Sequence, residues 1–149
     1  MAIEQSLRLE QQLCFSIYAC SREMTKLYRP ILQELKLTYP QYLVMLVLWE
    51  QEEMSVNALG KELFLDSGTL TPLLKRLEEA GLVQRNRSKA DERKVNICLT
   101  EQGRNLQADA SRVPEYMAAA SGLTIEDYER LNTEFRHLLK KLTSSQKKV

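Results

Sequence analysis

The chain is poor in the residues that mark several protein classes. It holds 5 Gly, 4 Pro, 3 Cys, 1 Trp and 1 His in 149 residues. So little Gly and Pro, beside 44% hydrophobic residues, excludes a collagen-like, low-complexity or disordered chain. Three cysteines without framework spacing argue against a disulfide scaffold and fit a reducing cytoplasm. One histidine and scattered cysteines form no Cys/His metal site, so neither metal nor cofactor is expected. His137, between Arg136 and Leu138, reads as a surface residue. The longest apolar run, Tyr42 to Trp49, has eight residues, short of the ~18 a membrane span requires. No membrane partner is expected. The first residues, MAIEQSLRLEQQ, lack the basic-then-apolar order of a secretory signal. No G-x-S-x-G surrounds Ser67, and Gly60 and Gly68 form no phosphate loop. The expectation is that the chain is not an enzyme.

An excess of one charge is also missing: 21 basic residues face 20 acidic ones. The distribution says more than the total. Residues 1–65 carry 6 basic and 8 acidic groups, whereas 82–99 carry Arg85, Arg87, Lys89, Arg93 and Lys94 against Asp91 and Glu92. From charge alone, an anion-binding face and a solvated hairpin are equally open.

What is plentiful is leucine, 25 residues of 149, with many Ala, Glu, Lys, Arg and Gln. This composition favours helices. A first helix is expected from about Ser6 to Leu35, because Leu13, Ile17, Cys20, Met24, Leu27 and Ile31 repeat at spacings of 4 and 3. A helix ~45 Å long needs a partner chain or another long helix to cover that stripe. Pro40 fits the first turn of a second helix, apolar nearly all round and hence buried. Ser55 caps a short helix, VNALGKELF. Asp66-Ser67-Gly68 breaks the chain before a helix over Thr69–Ala80, whose buried face is Leu70, Leu73, Leu74 and Leu77. Gly81 takes the C-cap place. The period then changes to alternation in Leu82–Arg87 and Lys94–Leu99, a two-stranded hairpin with the charged tip Ser88–Arg93. A Thr100-capped helix should reach about Ala120, kinked or split at Pro114. A Thr124-capped amphipathic helix follows to about Leu142, then a frayed tail.

Helix, short helix, helix and β-hairpin is the order of a winged helix-turn-helix. The major groove admits one helix whose exposed residues are short polar or basic groups. Ser67, Thr69, Thr71, Lys75 and Arg76 remain exposed once the leucines face inward. Arg85, Arg87, Arg93 and Lys94 belong to the wing, with Arg93 at its tip suited to a narrow minor groove. The bland alternative is a small domain whose polar helix is merely solvated. The expected fold is mainly α with a small β-hairpin wing. It is read as a single domain over 1–149, with a core at about 38–100 and dimerisation helices at about 6–36 and 101–143.

The run LDSGTLTPLLKRLE, followed by RSKADERKV, resembles the MarR family of dimeric winged-helix repressors. With Gln12-Leu13-Cys14-Phe15 and Tyr39-Pro40-Gln41-Tyr42, it resembles the organic hydroperoxide-resistance repressors, OhrR, over Gln12 to about Leu142. The resemblance implies a homodimer formed by the first and the last two helices, reading a pseudo-palindromic operator in double-stranded DNA. It also implies an Asp91–Arg93 ion pair in the wing.

By its residues alone, Cys14 has two open readings, a half-buried structural cysteine or a peroxide-sensing thiolate. The resemblance implies the second, with organic hydroperoxide as inducer and Tyr28 and Tyr39 as hydrogen-bond partners. Tyr18, one turn from Cys14, is the third candidate hydrogen-bond partner. Tyr28 lies fourteen residues away, ~21 Å along one helix, so its contact would come from the other subunit. Cys20, six residues from Cys14, is ~9 Å distant along the helix, beyond the ~7 Å between Cα atoms that a disulfide allows. Cys20 reads as packing and Cys98 as a wing bystander. No cysteine follows Cys98, which resembles the one-cysteine type. The resemblance then implies that a low-molecular-weight thiol caps oxidised Cys14, or that Cys14 overoxidises. The competing readings are a regulator gated by a lipophilic or phenolic ligand, with Cys14 structural, and a thiol-dependent peroxidase, for which no resolving pair is visible.

Overall fold

The eight-residue apolar run becomes the hub of the protein. The computed structural model describes residues 3–146. In chain order the elements are α1 (Ile3–Ser6), a 3-10 turn (Leu9–Gln11), α2 (Leu13–Glu34), α3 (Tyr39–Gln51), β1 (Glu53–Ser55), α4 (Val56–Leu63), α5 (Ser67–Glu79), β2 (Val83–Arg87), β3 (Val95–Leu99), α6 (Glu101–Ala110), α7 (Val113–Ser121) and α8 (Ile125–Gln146). They fall into two compact units, 1–113 and 114–149. In the first unit, α3 touches α2, α4, α5, α6, β1 and β3. A helix with neighbours on so many sides needs apolar residues all round, as its sequence shows. Val44, Met45 and Leu48 are fully buried, as are Leu59, Leu77 and Ile97 from the elements around them. Each such side chain contributes roughly 1.5–3 kcal/mol by leaving water.

Side-chain caps start most of these helices. Thr38 and Gln41 form a reciprocal capping box at the start of α3, with Pro40 in its first turn. Ser55 Oγ accepts the Ala58 N–H at 3.1 Å, and Thr100 Oγ1 accepts that of Gly103 at 3.0 Å. Past Ala80, Gly81 adopts φ +80°. Its N–H bonds to the Glu78 carbonyl, and the Leu82 N–H bonds to that of Leu77, the paired bonds of a glycine-terminated helix. Thr38→Ala should lower stability by about 1 kcal/mol, read as a shifted denaturant midpoint with an unchanged slope.

The structure corrects several expected boundaries. The first long helix starts at Leu13, not Ser6. Gln12 is extended (φ −91°, ψ 111°), and its Nε2 donates to the carbonyls of Ser6 at 2.6 Å and Arg8 at 2.9 Å. One side-chain amide thus ties the chain before the break to the residue that precedes α2. α5 begins two residues before the expected Thr69, because Asp66 rather than Ser67 or Gly68 is the cap. The hairpin is part of a three-stranded antiparallel sheet in the order β1-β3-β2. Strand β1 is only three residues long and acquires its conformation by pairing, Glu53 with Cys98 through Ser55 with Asn96. The helix after Thr100 splits between Ala110 and Val113, just before Pro114, since proline favours a first helical turn over an interior position. α8 continues to Gln146 instead of ending near Leu142, so Ser144 and Ser145 are helical. The rest of the expected tail, residues 147–149, lies outside the described residues.

The long helices leave apolar surface uncovered. α2 buries only Ile31 and Leu32, near its end, whereas Leu13, Cys20 and Met24 of its stripe are exposed. α8 has no buried residue in its 22, and exposes Ile125, Tyr128, Phe135, Leu139 and Leu142.

Candidate nucleic-acid interface and redox site

Local chemistry starts α5. Asp66 Oδ1 accepts the Thr69 N–H at 2.7 Å. That backbone bond, then the hydroxyl of Thr69, hold the Asp66 carboxyl below its ordinary range. Pro72 has no N–H, so the Gly68 carbonyl loses its helical donor near the exposed end. Leu70, Leu73, Leu74 and Leu77 are buried, and their periodicity turns Ser67, Thr69, Thr71, Lys75 and Arg76 outward. All five are exposed.

The wing presents Arg85, Arg87, Asp91, Arg93 and Lys94, each exposed. Its loop is tied by backbone bonds from Ser88 N–H to the Lys94 carbonyl and from Lys94 N–H to the Asp91 carbonyl. The implied Asp91–Arg93 ion pair takes another form. Asp91 Oδ1 accepts the backbone N–H of Arg93 at 3.0 Å, a local turn that leaves the guanidinium to point elsewhere. Between wing, α4 and α5 lies an open groove of about 590 Å³. Lys61, Arg85, Arg93 and Lys94 line it, with Asn57 and Thr71, and no carboxylate does among the described residues. Lys61 and Asn57 were not singled out from the sequence. Their one signal is position, on the outer face of the short helix before the recognition helix.

The predicted sensor residues divide into two places. Cys14 is exposed in the first turn of α2. One turn later, Tyr18 Oη accepts a hydrogen bond from Arg22 Nη1 at 2.8 Å, and the guanidinium also lies 5.4 Å from the Tyr18 ring centroid. Tyr28 and Tyr39 are together, with centroids 4.9 Å apart. α2 is continuous over Leu13–Glu34, which keeps Tyr28 remote from Cys14 of its own chain. The sequence did not announce two further members of the cluster. Tyr42 lies 5.8 Å from Tyr28 and 6.4 Å from Trp49. Trp49 Nε1 donates to the Gly103 carbonyl at 2.8 Å, so the aromatic line runs from α2 through α3 to α6.

The chain is 50% identical over 136 residues to the organic hydroperoxide resistance transcriptional regulator of Bacillus subtilis, covering 91% of this chain and 92% of that one. It belongs to the MarR family, in the organic hydroperoxide resistance group. Residues 26–110 of this MarR-family chain also match the family model for the transcriptional regulators SarA and Rot. Reduced AbfR bound to DNA has a TM-score of 0.79 and 40% identity, over 97% of this chain and 98% of that one. The disulfide-formed AbfR gives 0.61 and 38%, over 95% and 94%. AbfR is a protein of Staphylococcus epidermidis. As a member of this group, the chain is a DNA-binding, redox-sensing transcriptional regulator with a winged-helix fold.

Proposed function

We propose that this regulator represses transcription as a homodimer on double-stranded DNA in the cytoplasm, and releases its operator when an organic hydroperoxide oxidises Cys14. The observation that carries the DNA part is the groove beside α5, where Lys61, Arg93 and Lys94 stand with no carboxylate among the described lining residues. Ser67, Thr69, Thr71, Lys75 and Arg76 enter the major groove, while Arg87, Arg93 and Lys94 reach the backbone or minor groove. Asp91 shapes the wing tip. Arg85, also a sequence candidate for DNA contact, stands at the wing's base.

Dimerisation is supported by the uncovered faces of α2 and α8. Leu13 is 64% exposed and Ile125 77%, and a second copy would cover such surface. That copy would also bring the partner's Tyr28 and the partner's Tyr39 toward Cys14, which one chain cannot do. The Cys14 thiolate attacks the outer oxygen of the hydroperoxide. An S–O bond forms and the O–O bond breaks. Sulfur is oxidised to sulfenic acid, and the alkoxide leaves and takes a proton from water. A small thiol then condenses with the sulfenic acid, giving a mixed disulfide and water. The new sulfur substituent displaces the tyrosines and shifts the two DNA-reading units.

The test is fluorescence anisotropy on a duplex selected from random sequence by the reduced protein. One equivalent of cumene hydroperoxide should weaken binding on the order of 100-fold. Failure to select any sequence would remove the DNA reading. Retention after oxidation favours a ligand-gated regulator, and consumption of many equivalents of peroxide per chain favours a peroxidase.

A further inference from the structure

Arg85 looks in the sequence like one more cation for DNA. The structure engages it differently. Strand β2 is an edge of the sheet, so its outward N–H groups lack a strand partner. That of Arg85 bonds to Glu78 Oε2 at 2.9 Å. The other oxygen of the same carboxylate, Oε1, accepts from Arg85 Nε at 3.2 Å and Nη2 at 3.1 Å. Glu78 lies in the last turn of α5. One carboxylate therefore grips both backbone and side chain of a wing residue from the recognition helix. These bonds, the backbone one first, hold the Glu78 carboxyl below its ordinary range. Both side chains are about one-third exposed, 33% for Arg85 and 36% for Glu78, whereas Arg87 further along β2 has no such anchor among the described residues.

We propose that Glu78 and Arg85 are positioning residues. They set the angle of the wing to α5, and Arg85 acts on operator affinity through this clamp rather than by touching phosphate. The proposal rests on DNA binding by α5 and the wing.

The two roles predict opposite signs for one substitution. Glu78→Gln removes a negative charge near the DNA-binding face. If Arg85 were a phosphate ligand, Glu78→Gln would free it and binding would hold or tighten. Arg85→Ala would then lower the slope of log K against log[salt] by about 0.9, one phosphate contact. If the pair is a clamp, Glu78→Gln weakens operator binding about tenfold, as does Arg85→Ala. The double variant is then no weaker than either single one, and the salt slope stays that of wild type. Binding to a random-sequence duplex, which depends on charge, should change little.

Anisotropy with stoichiometrically titrated active protein, below the melting temperature, keeps folding losses out of the affinity. A lower melting temperature with unchanged affinity would overturn the proposal, as would tighter binding by Glu78→Gln. Absence of DNA binding by wild type would instead defeat the reading on which it rests.

Discussion

Cys14→Ser should bind the operator as wild type does and ignore hydroperoxide. Cys14 is exposed in the first turn of α2, and serine differs by one atom. Surface changes of this kind cost within about 0.5 kcal/mol, so reduced affinity should stay within roughly twofold. A serine hydroxyl does not displace alkoxide from a hydroperoxide under conditions where a thiolate does. The release on the order of 100-fold expected of wild type should therefore vanish. Cys20→Ser and Cys98→Ser should keep it. Cys98 sits in β3 with its Sγ 3.5 Å from Asn86 Nδ2 and 3.8 Å from the Gln84 carbonyl, inside the wing sheet rather than at the helix face. Trp49, the one tryptophan, offers a second signal. Its indole joins the tyrosine cluster to Gly103, so its emission should change on oxidation of wild type and stay constant in Cys14→Ser. Persistent release by Cys14→Ser, or its transfer to the Cys98 variant, would end the assignment.

Gly103→Ala should be the most damaging single methyl group. A Cβ there would overlap the Leu82 carbonyl oxygen and stand 3.1 Å from its carbon. Both are backbone atoms, so no rotamer change relieves the clash. Leu82 directly precedes β2, and its carbonyl also accepts the Thr100 N–H at 3.1 Å. Overpacking commonly costs 1–3 kcal/mol, and a backbone clash belongs at about 3 kcal/mol or more. The melting temperature should fall by roughly 10 °C. Gly122→Ala provides the contrast. Gly122 has φ +68° and nothing within 4 Å of a built Cβ, so it should lose only about 1 kcal/mol of conformational preference. Equal melting temperatures for the two variants would refute the close approach at Gly103.

The elements with strong local chemistry were legible in sequence. Asp66, Ser55 and Thr100 cap where their side chains reach a nearby N–H, and Gly81 ends α5 by accepting a positive φ. The leucine period of α5 and the alternation of β3 encode which faces are buried. Pro114 marks the split between α6 and α7. These signals act over three or four residues and need no distant partner. The same leucine period turns the polar face of α5 outward, whereas Cys14 was singled out by the family resemblance.

Other features depended on partners that residue type and local period do not reveal. β1 has no strand signal in Glu53-Met54-Ser55, and β3 supplies its hydrogen bonds from more than forty residues away. The α2 stripe reads as a helix, but Gln12 decides where that helix begins by turning its amide back onto Ser6 and Arg8. Arg85 reads as a free cation, and only the fold brings Glu78 to it. Lys61 becomes part of a cationic groove because α4 packs beside α5 and the wing. Residue type and local periodicity establish what a side chain can do, whereas its available partner is set by how the chain turns, pairs and packs.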